Sequence, residues 1–207
     1  MPLISFVVAA FEQHRALRTC LSSLLDQTLD QNQIEIIVAD NSLDARETMM
    51  NHNLIWMGGH IRHLHTADRA IIPEPQCRNI RHKRCLYTAL EIGVAEATGD
   101  WIAFPSQDDY YAPVFADRML AVSSATDAEF VHCDVVLGGP GHGYFTLGTA
   151  PRNCAIDKCA FIMKRSWFDG FKDKWDNYEL EDGYFVERLV ERGIRVAKCE
   201  QVLACHN

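Results

Sequence analysis

Residues 97–109 read ATGDWIAFPSQDD. Ala97 closes a helix-like run, Thr98-Gly99-Asp100 stops it, and Trp101–Phe104 is a short apolar strand. That strand delivers Asp108 and Asp109 side by side at a polar turn. Helix, stop, buried strand and acidic turn in that order form the repeating unit of an α/β sheet. Upstream, Arg84–Ala97 carries Leu86, Ala89, Leu90, Gly93, Val94 and Ala97 at helical spacing, and Leu3–Ala10 is a continuous apolar run suited to a strand buried on both faces. Between them the spacing predicts a helix over Arg15–Gln27, a second buried strand over Ile34–Ala39 and a short strand over Ile61–Leu64. Residues 66–82, with Pro73 and Pro75, read as an irregular loop. Downstream come a helix over Ala112–Ser123 with Pro113 in its first turn and a strand over Glu129–Leu137. A mixed apolar segment follows over Ala155–Lys164, then a helix over Tyr184–Arg192 and an extended stretch over Arg195–Ala204. The glycine-rich GGPGHG, residues 138–143, is expected to be a turn or flap outside any regular element. The fold class is therefore α/β, one domain with a mostly parallel mixed sheet flanked by helices.

Composition narrows the function classes. The 207 residues are 48% hydrophobic and 23% charged, ordinary values for a globular chain with one core. Against 28 acidic residues stand 20 basic ones, and the net charge of -8 repels phosphate backbones, so nucleic acid is not an expected partner. The longest apolar stretch, Leu3–Phe11, is far below the roughly 20 residues of a membrane span. The N-terminus lacks the basic region of an export signal, which makes the cytoplasm the expected setting. Eight cysteines occur without a C-x-x-C pair and are expected to be reduced core thiols.

Four groups of residues could carry chemistry. Asp108 and Asp109 repel each other unless a divalent cation or sugar hydroxyls intervene; a solvated turn with a capping carboxylate is the alternative. Glu179, Glu181 and Asp182 precede an amphipathic helix, where they either serve as acid or base groups or simply complement its dipole. His206 could complete a metal site or lie in a frayed terminus. His60, His63 and His65 invite a metal reading as well, but no carboxylate or thiol joins them at ligand spacing, so surface or half-buried histidines are expected. The aromatics of SWFDGFKDKWDNY suit either a sugar-stacking floor or the core, and Arg78, Arg81, Lys83 and Arg84 suit either a diphosphate or a solvated face.

Taken together, SFVVAAFEQ, SLLDQT, EIIVADNS, ATGDWIAFPSQDD and ELEDGYFVERLVERG resemble, in this order, family 2 glycosyltransferases of the GT-A fold. The resemblance covers nearly the whole chain. It implies an inverting transferase that moves a sugar from a nucleotide-sugar donor, a UDP-sugar foremost, to an acceptor hydroxyl with the help of Mn2+ or Mg2+. The acceptor would be a glycan or lipid-linked glycan in polysaccharide biosynthesis. Residues 1–110 would form the donor half and residues 111–207 the half holding the acceptor and base. Carried onto this chain, Ala10, Phe11, Glu12 and Asp40 would surround the nucleoside, Asp108 would lie near the ribose or sugar, and Asp109 would bind the metal. Asp182 would be the catalytic base with Glu181 beside it, and His206 a further metal ligand. Family members usually carry Pro, Tyr and Asn where this chain has Ala9, Phe11 and Glu12, and Asp where it has Ser106. An Arg-Asn pair is replaced by Leu90 and Glu91. Two rivals remain: a nucleotidyltransferase, which wants a Gly-rich phosphate loop that AAFEQHR lacks, and a non-catalytic GT-A-like sugar-binding or assembly subunit. Homo-oligomer formation is left open.

Overall fold

A computed structural model of the chain describes residues 2–11, 13–42, 46, 50, 52–54, 61–66, 78–139, 141, 143–171 and 181–207, with the side chains of 78–85 and 181 outside that description. Four parallel strands make one wing of the sheet: β1 (Ile4–Ala10) pairs with β2 (Ile34–Asp40) and β4 (Trp101–Ala103), and β2 pairs with β3 (Ile61–His65). Beyond β4 the directions alternate. β8 (Phe161–Lys164) runs antiparallel between β4 and β6 (Phe130–Gly139), β9 (Val196–His206) runs parallel to β6, and β5 (Asp109–Tyr111) caps the edge antiparallel to β9. The order is β3-β2-β1-β4-β8-β6-β9-β5, with β7 (Gly143–Leu147) hairpinned onto β6. The pairing of β6 with β9 slips in register between Cys133 and Val135, an irregularity that bends the strand and re-aims its end.

Alternation along β1 explains why it is apolar throughout. Ile4, Phe6 and Val8 face a core built with α1 (His14–Leu25) and α3 (Phe115–Thr126). Val7 and Ala9 face a second core built with α2 (Arg78–Glu96) and α4 (Glu181–Glu191). At Gly93 an added Cβ would collide with the Val7 side chain, so this glycine lets α2 lie tight against the sheet. Phe104, Phe161, Phe168, Phe171 and Phe185 form a continuous aromatic cluster in the second core. The aromatics at 168 and 171 are thus core residues, whereas Trp175 and Tyr178 lie outside the described residues.

Several boundaries differ from the sequence expectations. Helix α2 begins at Arg78, inside the stretch expected to be a loop, because arginine and lysine are good helix formers and a run of charge does not break a helix. Helix α3 begins only at Phe115: the Ala112 N–H donates to the Leu203 carbonyl and the Pro113 carbonyl accepts from Thr28 N–H, which ties this segment to its neighbours. Helix α4 starts at Glu181 rather than Tyr184. The expected flap at 138–143 is instead a hairpin: Gly138 and Gly139 belong to β6 and Gly143 to β7, with Gly141 and Gly143 at φ of +92° and +72° where the chain reverses. Cys20, Cys133, Cys159 and Cys199 are buried free thiols, Cys205 is half-buried and Cys154 is exposed; Cys77 and the side chain of Cys85 lie outside the description. Among the described residues no helix is long and apolar enough to cross a membrane.

Candidate active site

The site forms at the carboxyl ends of β1 and β4, where residues 105–109 are stitched to β1: Ala9 N–H donates to the Pro105 carbonyl and Gln107 N–H to the Ala9 carbonyl. The Gln107 amide also clamps Phe11, accepting from its N–H at 2.7 Å and donating to its carbonyl at 2.8 Å. Asp109 then opens β5 directly opposite His206 on β9. The Asp109 side chain is fully buried; Oδ1 meets His206 Nδ1 at 2.6 Å and Oδ2 accepts from Ser106 N–H at 2.5 Å. One ligand atom from each of Asp108, Asp109 and His206 falls within 4.8 Å of the others. His206 is therefore part of a strand, and the frayed-terminus alternative does not hold.

Across the site, the first turn of α4 carries Asp182. Its Oδ1 accepts from the Tyr87 hydroxyl of α2, and its Oδ2 accepts from the Lys158 backbone N–H at 3.2 Å. An added Cβ at Gly183 would strike Asn153, so glycine next to Asp182 allows α4 to seat against the loop before β8. Lys158 was not singled out by sequence reasoning. It lies 6% exposed in the single turn 158–160 ahead of β8, with its ammonium donating to Ser106 Oγ. The signal available was a charged residue inside the apolar segment Ala155–Lys164, since lysine is almost never buried without partners.

Electrostatics couple these groups. Burial pushes the Asp109 and Asp182 carboxyls above the ordinary carboxylate range. The hydrogen bond from His206 and the charge of Lys158 oppose this at Asp109, and Lys158 and Tyr87 oppose it at Asp182. Burial would favour a neutral Lys158, but Asp157, Asp109 and Asp182 together overcome it and raise its pKa. Asp157 is held low despite its own burial, mainly by the Lys158 charge. The hydrogen bond to Asp109 raises His206 to about 9, so at neutral pH the ring carries the proton that it donates to Asp109.

The remaining predicted residues are placed as follows. Ala10 is the buried last residue of β1, Phe11 follows it half-buried, and Glu12 lies outside the described residues. Asp40 ends β2 fully buried, its Oδ1 accepting from Ser42 N–H at 2.9 Å and Ser42 Oγ at 2.6 Å, and its Oδ2 2.9 Å from His63 Nε2. His63 is half-buried and bonded to Asp40, His65 is exposed and bonded to the Ser42 carbonyl, and His60 is outside the described residues. Glu181 is the first residue of α4, its side chain outside the description, as are those of Arg78, Arg81, Lys83 and Arg84.

A strand-end aspartate faces a histidine of β9, a second aspartate stands at the head of α4, and residues 5–193 match the family described as Glycosyl transferase family 2. The chain belongs to that family. In solved structures its fold is similar to S. aureus TarS residues 1–349, with a TM-score of 0.72 and 14% identity over 100% of this chain and 60% of that one. The mannosyltransferase PcManGT from Pyrobaculum calidifontis, in complex with GDP-Man and Mn2+, gives a TM-score of 0.71 at 12% identity over 99% of this chain and 56% of that one. These likenesses establish a GT-A-like α/β fold with a mixed sheet flanked by helices. Among curated proteins, EpsH of Bacillus subtilis, named provisionally as a glycosyltransferase, is 29% identical over 133 residues, 64% of this chain and 33% of EpsH. EpsJ of the same organism, an uncharacterized glycosyltransferase, is 25% identical over 133 residues, 64% of this chain and 34% of EpsJ. The chain spans about a third of the length of these two relatives.

Two carboxylates and an imidazole make a donor set that suits a hard or borderline divalent cation such as Mn2+ or Mg2+. The existing His206–Asp109 pair shows that these side chains already converge. For His206 to act as a ligand, its proton must leave.

Proposed function

We propose that this chain is an inverting glycosyltransferase domain that transfers a sugar from a nucleotide-sugar donor, first of all a UDP-sugar, to an acceptor hydroxyl. The observation that carries the reading is the placement of Asp109 and Asp182, distant in sequence, around one buried lysine at the carboxyl end of the sheet. Crevices at such ends are where open α/β sheets take their ligands. The relatives of similar fold add support: TarS has been solved with UDP-GlcNAc and PcManGT with GDP-Man and Mn2+.

In this reading Asp182 accepts the proton of the acceptor hydroxyl as its oxygen bonds to the anomeric carbon, and the bond from that carbon to the diphosphate oxygen breaks with its electron pair leaving on the diphosphate. Attack from the face opposite the leaving group inverts the centre. Tyr87 and the Lys158 N–H fix the orientation of the base, and its raised pKa brings it nearer the operating pH. Asp108, Asp109 and His206 would hold a divalent cation, which when bound neutralises charge on the leaving diphosphate. The donor half over residues 1–110, the acceptor half over 111–207, a glycan or lipid-linked acceptor and a cytoplasmic setting belong to the same proposal.

The deciding experiment is a thermal-shift panel of UDP, GDP, CDP and dTDP with and without Mn2+. At least one nucleotide is expected to raise the melting temperature of the wild-type chain only when Mn2+ is present, and Asp109→Asn is expected to remove that response. A panel with no response would point instead to a scaffold that keeps the fold without a donor site.

A further inference from the structure

We propose that Lys158 is a positioning residue whose buried ammonium and own backbone N–H join the Asp109 corner to Asp182 and favour the charged form of that carboxylate. The role rests on the reading of Asp182 as the base. The geometry is a short chain of contacts: Lys158 Nζ donates to Ser106 Oγ, Ser106 N–H donates to Asp109 Oδ2, and Lys158 N–H donates to Asp182 Oδ2. One residue therefore touches both sides of the site, through its side chain on one and its main chain on the other.

Charge gives the second argument. Three carboxylates, those of Asp109, Asp157 and Asp182, act on this one ammonium. The groups facing Asp182 among the described residues are the Tyr87 hydroxyl from α2 and Lys158 and Asp157 from the turn before β8. Asp157 disfavours the ionised form of Asp182, and Lys158 favours it. A neutral side chain at 158 would leave Asp182 desolvated beside Asp157 with only Tyr87 and one backbone N–H to hold its charge, and such a carboxyl keeps its proton. A lysine 6% exposed is costly in itself, and here the cost is offset by acids that would otherwise repel one another. Its position after Asp157 also explains the turn: Asp157 Oδ1 accepts from Cys159 N–H at 2.9 Å, fixing the backbone whose N–H reaches Asp182.

The coupling can be tested without any substrate. In protein carrying 13C-labelled aspartate carboxyls, with the Asp182 resonance assigned through Asp182→Asn, Lys158→Met is expected to raise the Asp182 titration midpoint by about one pH unit or more, and Lys158→Arg to leave it near the wild-type value. An unmoved midpoint in folded Lys158→Met overturns the proposal. Should that variant fail to fold, the wild-type chain decides: the Lys158 15Nζ resonance must follow the Asp182 titration and lose that step in Asp182→Asn, and a resonance that shows the same titration in both overturns it. Observed coupling in a chain that transfers no sugar would leave the electrostatic role standing and remove the base assignment alone, so the two failures are distinct. Where transfer is measurable, Lys158→Met is expected to lower kcat with KM for the donor little changed, and Lys158→Arg to recover most of it.

Discussion

Both ends of the sheet bury a carboxylate, and they treat it in opposite ways. Near the amino end of β2, Glu35 accepts from Ser5 Oγ at 2.6 Å and Thr98 N–H at 2.8 Å, and it lies 3.2 Å from Arg62. Burial works against its charge, but these donors prevail and hold its pKa below the ordinary range. At the carboxyl end, Asp182 and Asp109 sit among other acids around one lysine, and burial prevails, holding them above it. An acid surrounded by donors contributes to folding, whereas one crowded by other acids is kept at a cost to folding and is available for proton transfer or metal binding. A third arrangement lies at the amino ends of β4, β6 and β9, where Asp100, Glu129, Lys164, Arg165 and Arg195 line a polar groove of about 800 Å3. There the charges are largely solvated: the side chain of Arg195 is 55% exposed and that of its partner Asp127 91%.

Substitutions at the two ends should separate accordingly. The largest effect is expected from Asp182→Asn: sugar transfer should fall by about 100-fold to 10,000-fold while nucleotide binding holds and the melting temperature does not fall. A loss of nucleotide affinity with transfer retained would place the base elsewhere. Next comes His132, a buried histidine between the two ends. Thr149 Oγ1 donates to the Cys133 carbonyl and so accepts from His132 Nδ1–H, and burial, the foremost cause, lowers the pKa of the ring to about 4. Because the folded value lies below the unfolded one, the unfolded chain binds the proton first. Stability should be intact above about pH 6.5 and decline by about 3 kcal/mol as pH falls toward 4, seen by urea denaturation across pH and flattened in His132→Gln.

Glu35→Ala is expected to cost about 2 kcal/mol, since Ser5 Oγ and the Thr98 N–H lose a buried acceptor, without altering nucleotide binding. The charge-linked contribution of Glu35 is present above its unfolded pKa and is lost as pH drops through the lowered folded value, so the stability gap between the wild-type and alanine chains should narrow as pH falls below the unfolded value of about 4.3. Arg195→Ala should change stability by less than about 0.5 kcal/mol and leave activity alone, because an exposed ion pair contributes little. A large effect there would mean that the groove at the amino end is more than a solvated face.

The alternation of strand and helix was legible because both faces of β1 and β2 are buried and a continuous apolar run is the direct trace of that burial. Boundaries were less legible where partners distant in sequence set them, as at Ala112–Val114, or where a hairpin absorbs glycines, as at 138–143. Asp109 and Asp182 were visible as acids at the ends of apolar elements, and His206 was visible as a metal-binding type of residue. That Asp109 and His206 lie opposite each other depends on the pairing of β5 with β9, which no local pattern records.

Composition, apolar periodicity and the acidic turns are local properties, and by themselves they determined an acidic α/β chain with candidate acids at strand and helix ends. Which of those acids share one charge was decided only by tertiary structure: Lys158 meets Asp109, Asp157 and Asp182 because β5, the turn before β8 and the head of α4 converge at one end of the sheet. The physical reason is that a charge interaction falls off with distance in space and rises with burial, and neither quantity can be read from separation along the chain.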